Sequence, residues 1–573
     1  MKQVRWLTIL GLLLLAGACG ARRSPVVGAA APAVASAGPH LMSLPTTTAA
    51  WADGAQLFDG LGEAHRVITT SSPEAQRYFD QGVRLMWAFN HDEATRSFAK
   101  AAAIDPTCAS CYWGVALTVG PNYNLPFLSA ERAKVAFEAL HLAQSNAFRA
   151  SDVEKALIAA LAVRYPNDRP LDANSTVTVL RSYAAAMHDV AMRFPADLDV
   201  QTLYAESLMN VNAWKLWSAS GEPAPGTTEI LATLSAVLKV DPNHPGANHY
   251  YIHAVEASPH PEQGLVSAGR VAGLAPAAGH LVHMPAHILQ RVGRYEDAAE
   301  ANRRAAVADE AYYHRTQAPD YYPVMYTAHN YQFLAYSTAM QGRRAETIAA
   351  VDRSRAAVTD SMLLAMPGAD WYVAESYAAR VRFGMWEEIL SLPRPDPRLP
   401  GLTGGYLYAR GVAQAATGHV RDAHATLNEL REFMAKVPAD SPAGQNTVRD
   451  VLAIATSVLD ARIASAEQRE EDAIALLRKA VTAEDRLAYD EPKNWFFPAR
   501  HLLGAALLRA GAAGEAERAY REDLRENPAN GWSLFGLGAA LKAQHQSAQA
   551  DTTMRDFRAA WQRADVTIAS SAF

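Results

Sequence analysis

From about residue 75 to the C-terminus, apolar positions recur at intervals of three and four residues, the period that lines one face of an α-helix, and strand-like alternation is scarce. Pairs such as Asp105-Pro106 and Asp241-Pro242 stop the periodic runs, because proline lacks an amide hydrogen and clashes with the preceding turn. Small and aromatic residues add a longer period. Gly82, Ala94, Phe98 and Pro106 follow one another at intervals of 12, 4 and 8, and Gly504, Ala516, Tyr520 and Pro528 reproduce those intervals. Gly538 with Ala550 begins another copy, and Gly293 with Ala298 and Ala305, then Gly342, mark others. Small residues at the first two places let two antiparallel helices approach closely. The aromatic fills the space between neighbouring pairs, and the proline ends the second helix. The pattern predicts stacked helical pairs, with divergent pairs over 130–235 and 350–490.

These positions resemble the tetratricopeptide repeat (TPR) family. The resemblance implies an all-α fold, a TPR-type α-α superhelix over residues 49–573, with its clearest repeats near 75–125, 236–345 and 497–560. It also implies a concave groove lined by the first helix of each pair and a protein or peptide partner in that groove. Repeats of this kind say little about chemistry.

Composition narrows the partners. Of 573 residues, 53 are Lys or Arg and 59 are Asp or Glu, a net charge of −6 with no sustained basic run, so nucleic acid is not expected. The N-terminus has Lys2 and Arg5, an apolar run from Leu7 to Leu15, then Ala16-Gly17-Ala18-Cys19, the succession of a secretory signal over 1–19. The small residues before Cys19 resemble the lipobox of bacterial lipoproteins, which implies lipidation of that thiol, although Ala16 departs from the usual Leu or Val. An ordinary cleaved signal is the alternative. Residues 20–48, rich in Ala, Pro, Ser and Gly, read as a flexible tether. The expected address is the periplasmic side of the cell envelope, anchored by lipid to the outer rather than the inner membrane.

Half of the 18 histidines fall between His244 and His329. His249 and His253 are four apart, His283 and His287 are four apart, and the second pair follows the first by 34 residues, in register with the repeat. Residues four apart share one helix face, and packed helices lie about 8–10 Å apart, so the four imidazoles can converge. The family's first-helix places put these residues, His280 and Glu256 on the groove, with Glu206 at a similar place upstream and His329 beginning the next first helix after an insertion containing Asp320, Tyr321 and Tyr322. Imidazoles with one or two carboxylates suit zinc, copper, iron or nickel, in a mononuclear or binuclear site. Pro285, between His283 and His287, should bend the helix at this ladder. The spacing is equally that of peptide-contacting side chains, or of packing histidines copied by duplication.

Cys108 and Cys111 open a helix after Pro106. In an oxidising compartment they read first as a disulfide staple, with redox exchange or metal capture as alternatives. No nucleophile elbow, phosphate loop or dinucleotide fingerprint is present. Trp214 to Trp217 and Asp490 to Pro498 read as packing segments, and His501 as an isolated groove histidine. Two functions follow: a protein-binding scaffold with a His-lined groove that takes a transition metal, or a metal-dependent hydrolase or oxidoreductase using the same ladder.

Overall fold

The computed structural model describes residues 44–126, 128–317 and 322–572. Cys19, the signal, most of the tether, and Asp320 and Tyr321 lie outside the described residues. Residues 44–572 fall within one compact unit. Helices make up nearly all of its regular structure, and two-residue strands at Pro442–Ala443 and Asn446–Thr447 form the only sheet among the described residues.

The first pair shows why the chain folds this way. Ser72 caps the helix Pro73–Trp87 by accepting from the Ala75 amide at 3.2 Å, with Pro73 in the first turn, where its missing amide costs nothing. Asn90 caps its partner His91–Ile104. A Cβ added to Gly82 would stand 2.6 Å from the Phe98 ring, and one on Gly114 of the next helix, Ala109–Thr118, 2.5 Å from it. Phe98 thus fills the space between successive first helices. Tyr520 does the same at the other end of the chain, 2.3 Å from a Cβ on Gly504 and 2.1 Å from one on Gly536. The spaced small and aromatic residues therefore do what their repetition predicts.

Further pairs follow in order, among them Pro245–Glu256 with Leu265–Leu274, the broken first helix Gly279–His283 and Pro285–Arg291 with Tyr295–Thr316, and Ala328–Met340 with Arg344–Ala356. The divergent stretches are helical as expected. One boundary moves: a short helix, Thr48–Ala52, lies partly in the stretch read as tether, with Trp51 buried and the guanidinium groups of Arg96 and Arg132 5.6 and 5.7 Å from its ring centroid.

The superhelix also closes on itself. Near the front, Trp87 packs on Gly246 and the Tyr326 hydroxyl donates to the Phe89 carbonyl at 2.7 Å. Toward the end, Trp532 Nε1 donates to the Ala339 carbonyl at 2.8 Å, Trp561 covers Gly342 and Gly531, and the Asp565 carboxylate accepts from the Arg344 and Ala345 amides. These long-range contacts bury the inner face of the central first helices. No described helix is long and apolar enough to cross a membrane.

Candidate metal centre

The histidine ladder lies in that buried interior. His249, His253, His280, His283, His287 and Glu256 are all at most 4% exposed, so the expectation of a His-lined groove open to a peptide is corrected at this point of the fold. The structure also regroups the ladder. Instead of four imidazoles converging, two trios form: His249, His253 and His280, and beside them His283, His287 and His329, with ligand atoms within 4.8 Å in each. Each trio takes the His-x-x-x-His pair of one repeat and one histidine from the first helix of the next. The aligned places are Gly246, His249 and His253, then His280, His283 and His287, then His329, Gln332 and Tyr336. The row of sites ends where glycine stands at one end and Gln332 and Tyr336 stand at the other.

Hydrogen bonds set the tautomers. His249 Nδ1 meets the Trp87 carbonyl at 2.6 Å, and a carbonyl only accepts, so this nitrogen carries the proton and Nε2 is left with a lone pair. That lone pair faces His280 Nε2 at 3.0 Å and His253 Nε2 at 3.1 Å. In the second trio Asn302 donates its amide to the Ala298 carbonyl at 2.7 Å, which turns its oxygen toward His283 Nδ1, also 2.7 Å away. His283 Nε2 is therefore a lone pair as well, 2.6 Å from His287 Nε2. Glu256 links the trios from behind, 2.9 Å from His253 Nδ1 and 2.8 Å from His287 Nδ1. When ionised it makes a donor of His253 Nδ1, whose Nε2 then also presents a lone pair inward; its approach to His287 Nδ1 is not aligned as a hydrogen bond. Two imidazoles on one ion, each about 2.0–2.1 Å from it, would stand roughly 3.3 Å apart in a tetrahedral site, close to the spacings here.

Protons are poor substitutes for a metal in this interior. Burial, reinforced by neighbouring imidazoles, holds His249, His280 and His283 well below the ordinary range, and burial brings His253 and His329 down to about 3. Two carboxylates remain nearby. Glu491 reaches His287 Nδ1 from a loop more than 200 residues away, and burial raises the affinity of both Glu256 and Glu491 for a proton.

An apolar shell closes the centre. Phe89 lies parallel to His253 and His280, with ring centroids 5.5 and 5.6 Å apart, and Phe333 stands perpendicular to His283 at 4.6 Å. Phe89 holds a left-handed backbone conformation (φ +54°), uncommon and costly for an aromatic residue. Before Pro285 the helix is interrupted at Met284, but the dihedrals there stay helical, so His283 and His287 straddle the break on a common face and the expected bend is not seen at Met284.

Several sequence expectations shift. Glu491, in the segment read as packing, belongs to the site, and its signal was an acidic residue amid buried aromatics. Asn302, Phe89 and Phe333 were also missed; nothing in their local sequence marks them. Glu206 is buried elsewhere, accepting from Asn210 at 2.5 Å. His501 pairs with Asp523 at 2.8 Å in a separate polar network. His244 caps its helix and binds Asp199, while His260 and His314 are at the surface. Cys108 and Cys111 are joined as a disulfide at the start of their helix.

No protein family and no curated protein matches the chain. Among solved structures it is similar to the human IFIT1 dimer with m7Gppp-AAAA, at 12% identity and a TM-score of 0.33 over 79% of this chain and 90% of that one. It is also similar to the APC/C hetero-tetramer Cut9–Hcn1, at 12% identity and a TM-score of 0.31 over 85% of this chain and 76% of that one. Scores this low carry no argument about site or ligand. The stacked antiparallel helix pairs, with Phe98 and Tyr520 each wedged between glycines of successive first helices, make the fold an all-α, TPR-type helical-repeat solenoid.

Proposed function

We propose that this protein is a metalloprotein whose helical-repeat body holds transition-metal ions in two adjoining three-histidine sites. The observation that carries the reading is the orientation of His249 and His283. Each is obliged by its Nδ1 partner to point a lone pair at two further imidazole nitrogens, an arrangement that a cation relieves. Donor sets made of imidazole favour copper or zinc, then nickel and iron, over calcium or magnesium. Three protein ligands leave each ion an open position, the pattern of catalytic rather than structural sites. With the trios adjacent, centroids of His253 and His287 being 5.5 Å apart, the chemistry supported is activation of water or dioxygen between two ions.

Elemental mass spectrometry on untagged protein from its native host tests this. About two equivalents of one such metal per chain are expected, falling to about one in His249→Ala and in His283→Ala and to none in the double variant. A parent without metal that also fails to take up copper or zinc in vitro overturns the proposal.

Two coarser readings accompany it. A helical-repeat scaffold fits a protein-binding role, which here belongs to faces other than the buried ladder. Export to the envelope with lipidation at Cys19 rests on the N-terminal sequence and gains support from the Cys108–Cys111 disulfide, a bond that persists in oxidising compartments.

A further inference from the structure

A cavity of about 650 Å³ runs from the surface to the first trio. Buried His280 lines its inner end, and exposed Arg304 and Val307 line its outer end. The volume is in the range of pockets that enclose small organic molecules. Its walls are mostly apolar and aromatic: Leu61 and Leu85 are buried there, and Phe58, Tyr312 and Tyr322 form a row with centroids 5.8 and 4.6 Å apart.

Two observations point to an occupant. His280 is 4% exposed and its Nδ1 has no hydrogen-bond partner. When Nε2 serves a metal, Nδ1 carries a proton, a buried donor without an acceptor, and such a group costs free energy until one arrives. At the outer end two of the three lining arginines have no carboxylate partner among the described residues. Arg303 is engaged by Glu296, Glu300 and Glu346, whereas Arg315 lies over the Phe58 ring at 4.5 Å and, among the described residues, donates only to uncharged groups, Gln56 and the Leu57 carbonyl. Arg304 makes no hydrogen bond or ion pair with any described residue, and Asp59 is the one acidic lining residue not engaged by Arg303.

We propose that this cavity binds a small aromatic carboxylate with a hydroxyl on its far edge, its ring between the apolar walls, its carboxylate at Arg304 and Arg315, and its hydroxyl oxygen brought to the His280 Nδ1 hydrogen beside the first trio. The delivery rests on the metal reading given above; the binding does not. 6-Hydroxy-2-naphthoate is the probe and uncharged 6-hydroxy-2-naphthamide its control, titrated by calorimetry into the full chain, both metal-loaded and metal-stripped. Two variants carry the test. Ala311→Trp fills the cavity from an exposed helix position, and Arg304→Glu reverses an exposed charge, so neither disturbs the core.

The hydroxynaphthoate is expected to bind at least tenfold more tightly than the amide, and each variant to lose at least tenfold. In copper-loaded protein it should also shift the visible absorption of the metal. Absence of binding, equal affinity for acid and amide, or binding unchanged in both variants overturns the inference. Binding that is lost in the variants of a chain that takes up no metal would keep the cavity and remove the centre. Metal uptake without hydroxynaphthoate binding would do the reverse.

Discussion

A single carbonyl or amide oxygen behind an imidazole decides what the front of that imidazole can do. Trp87 and Asn302 each fix a proton on Nδ1 and so aim a lone pair inward, and this orientation makes a cation the natural occupant. Asn302 is the cleaner of the two to change, because its contact is made by a side chain. Asn302→Ala removes the acceptor that orients His283 and leaves every proposed ligand in place. Metal affinity of the second trio should fall about 10–100-fold, the usual cost of losing such a partner, while the first trio keeps its ion. Competition with a chromophoric chelator reads this as one weakened and one unchanged equivalent; two unchanged equivalents would show that Asn302 does not orient His283. The ladder histidines and Glu256 were legible because chemistry-bearing residue types repeated in register. Asn302 and Phe89 were not, since an asparagine or phenylalanine on a helical pattern has many ordinary uses.

Helices in this chain meet through glycines facing large rings. Tyr520 is fully buried between Gly504 and Gly536, and its hydroxyl reaches Ser571, so one side chain ties two successive pairs to the C-terminal segment. In Gly504→Ala the new methyl would stand 2.3 Å from the ring, and the helices must separate to admit it. Overpacking costs about 1–3 kcal/mol, and an approach this close to a fully buried ring belongs at the upper end, above the roughly 1 kcal/mol that alanine returns in helix propensity. The variant should therefore melt earlier and unfold at lower urea. Stability at or above the parent's would mean that the close approach at this place is not required. The same logic explains why element positions were readable: a glycine twelve residues before a small residue and sixteen before an aromatic is a statement about contact between neighbours. The closing contacts, such as Trp532 with the Ala339 carbonyl, join helices almost 200 residues apart and leave no local period.

At the scale of the whole molecule, the centre is where distant segments meet. Trp87 comes from the first clear pair, the ligands from three central first helices, and Glu491 from a late loop. An ion bound only by the folded chain stabilises it by mass action, roughly 4 kcal/mol for each ion present at a thousand times its dissociation constant. Stripping metal with a chelator should lower the melting temperature by several degrees and expose the segments flanking the ladder to protease, and readdition should reverse both. Identical melts with and without chelator would show that the ladder does not couple ion binding to folding. The amino-acid sequence by itself determined the repeat, the helical class, the register of the histidine pairs and the cysteine pair, because each is a relation between residues within about one repeat and local spacing records it. Only the tertiary structure decided that the ladder is buried rather than open, that six imidazoles divide three and three, and that Glu491 joins them. Those outcomes depend on how the superhelix curves back on itself, which is summed from small rotations at every helix pair and written at no single position.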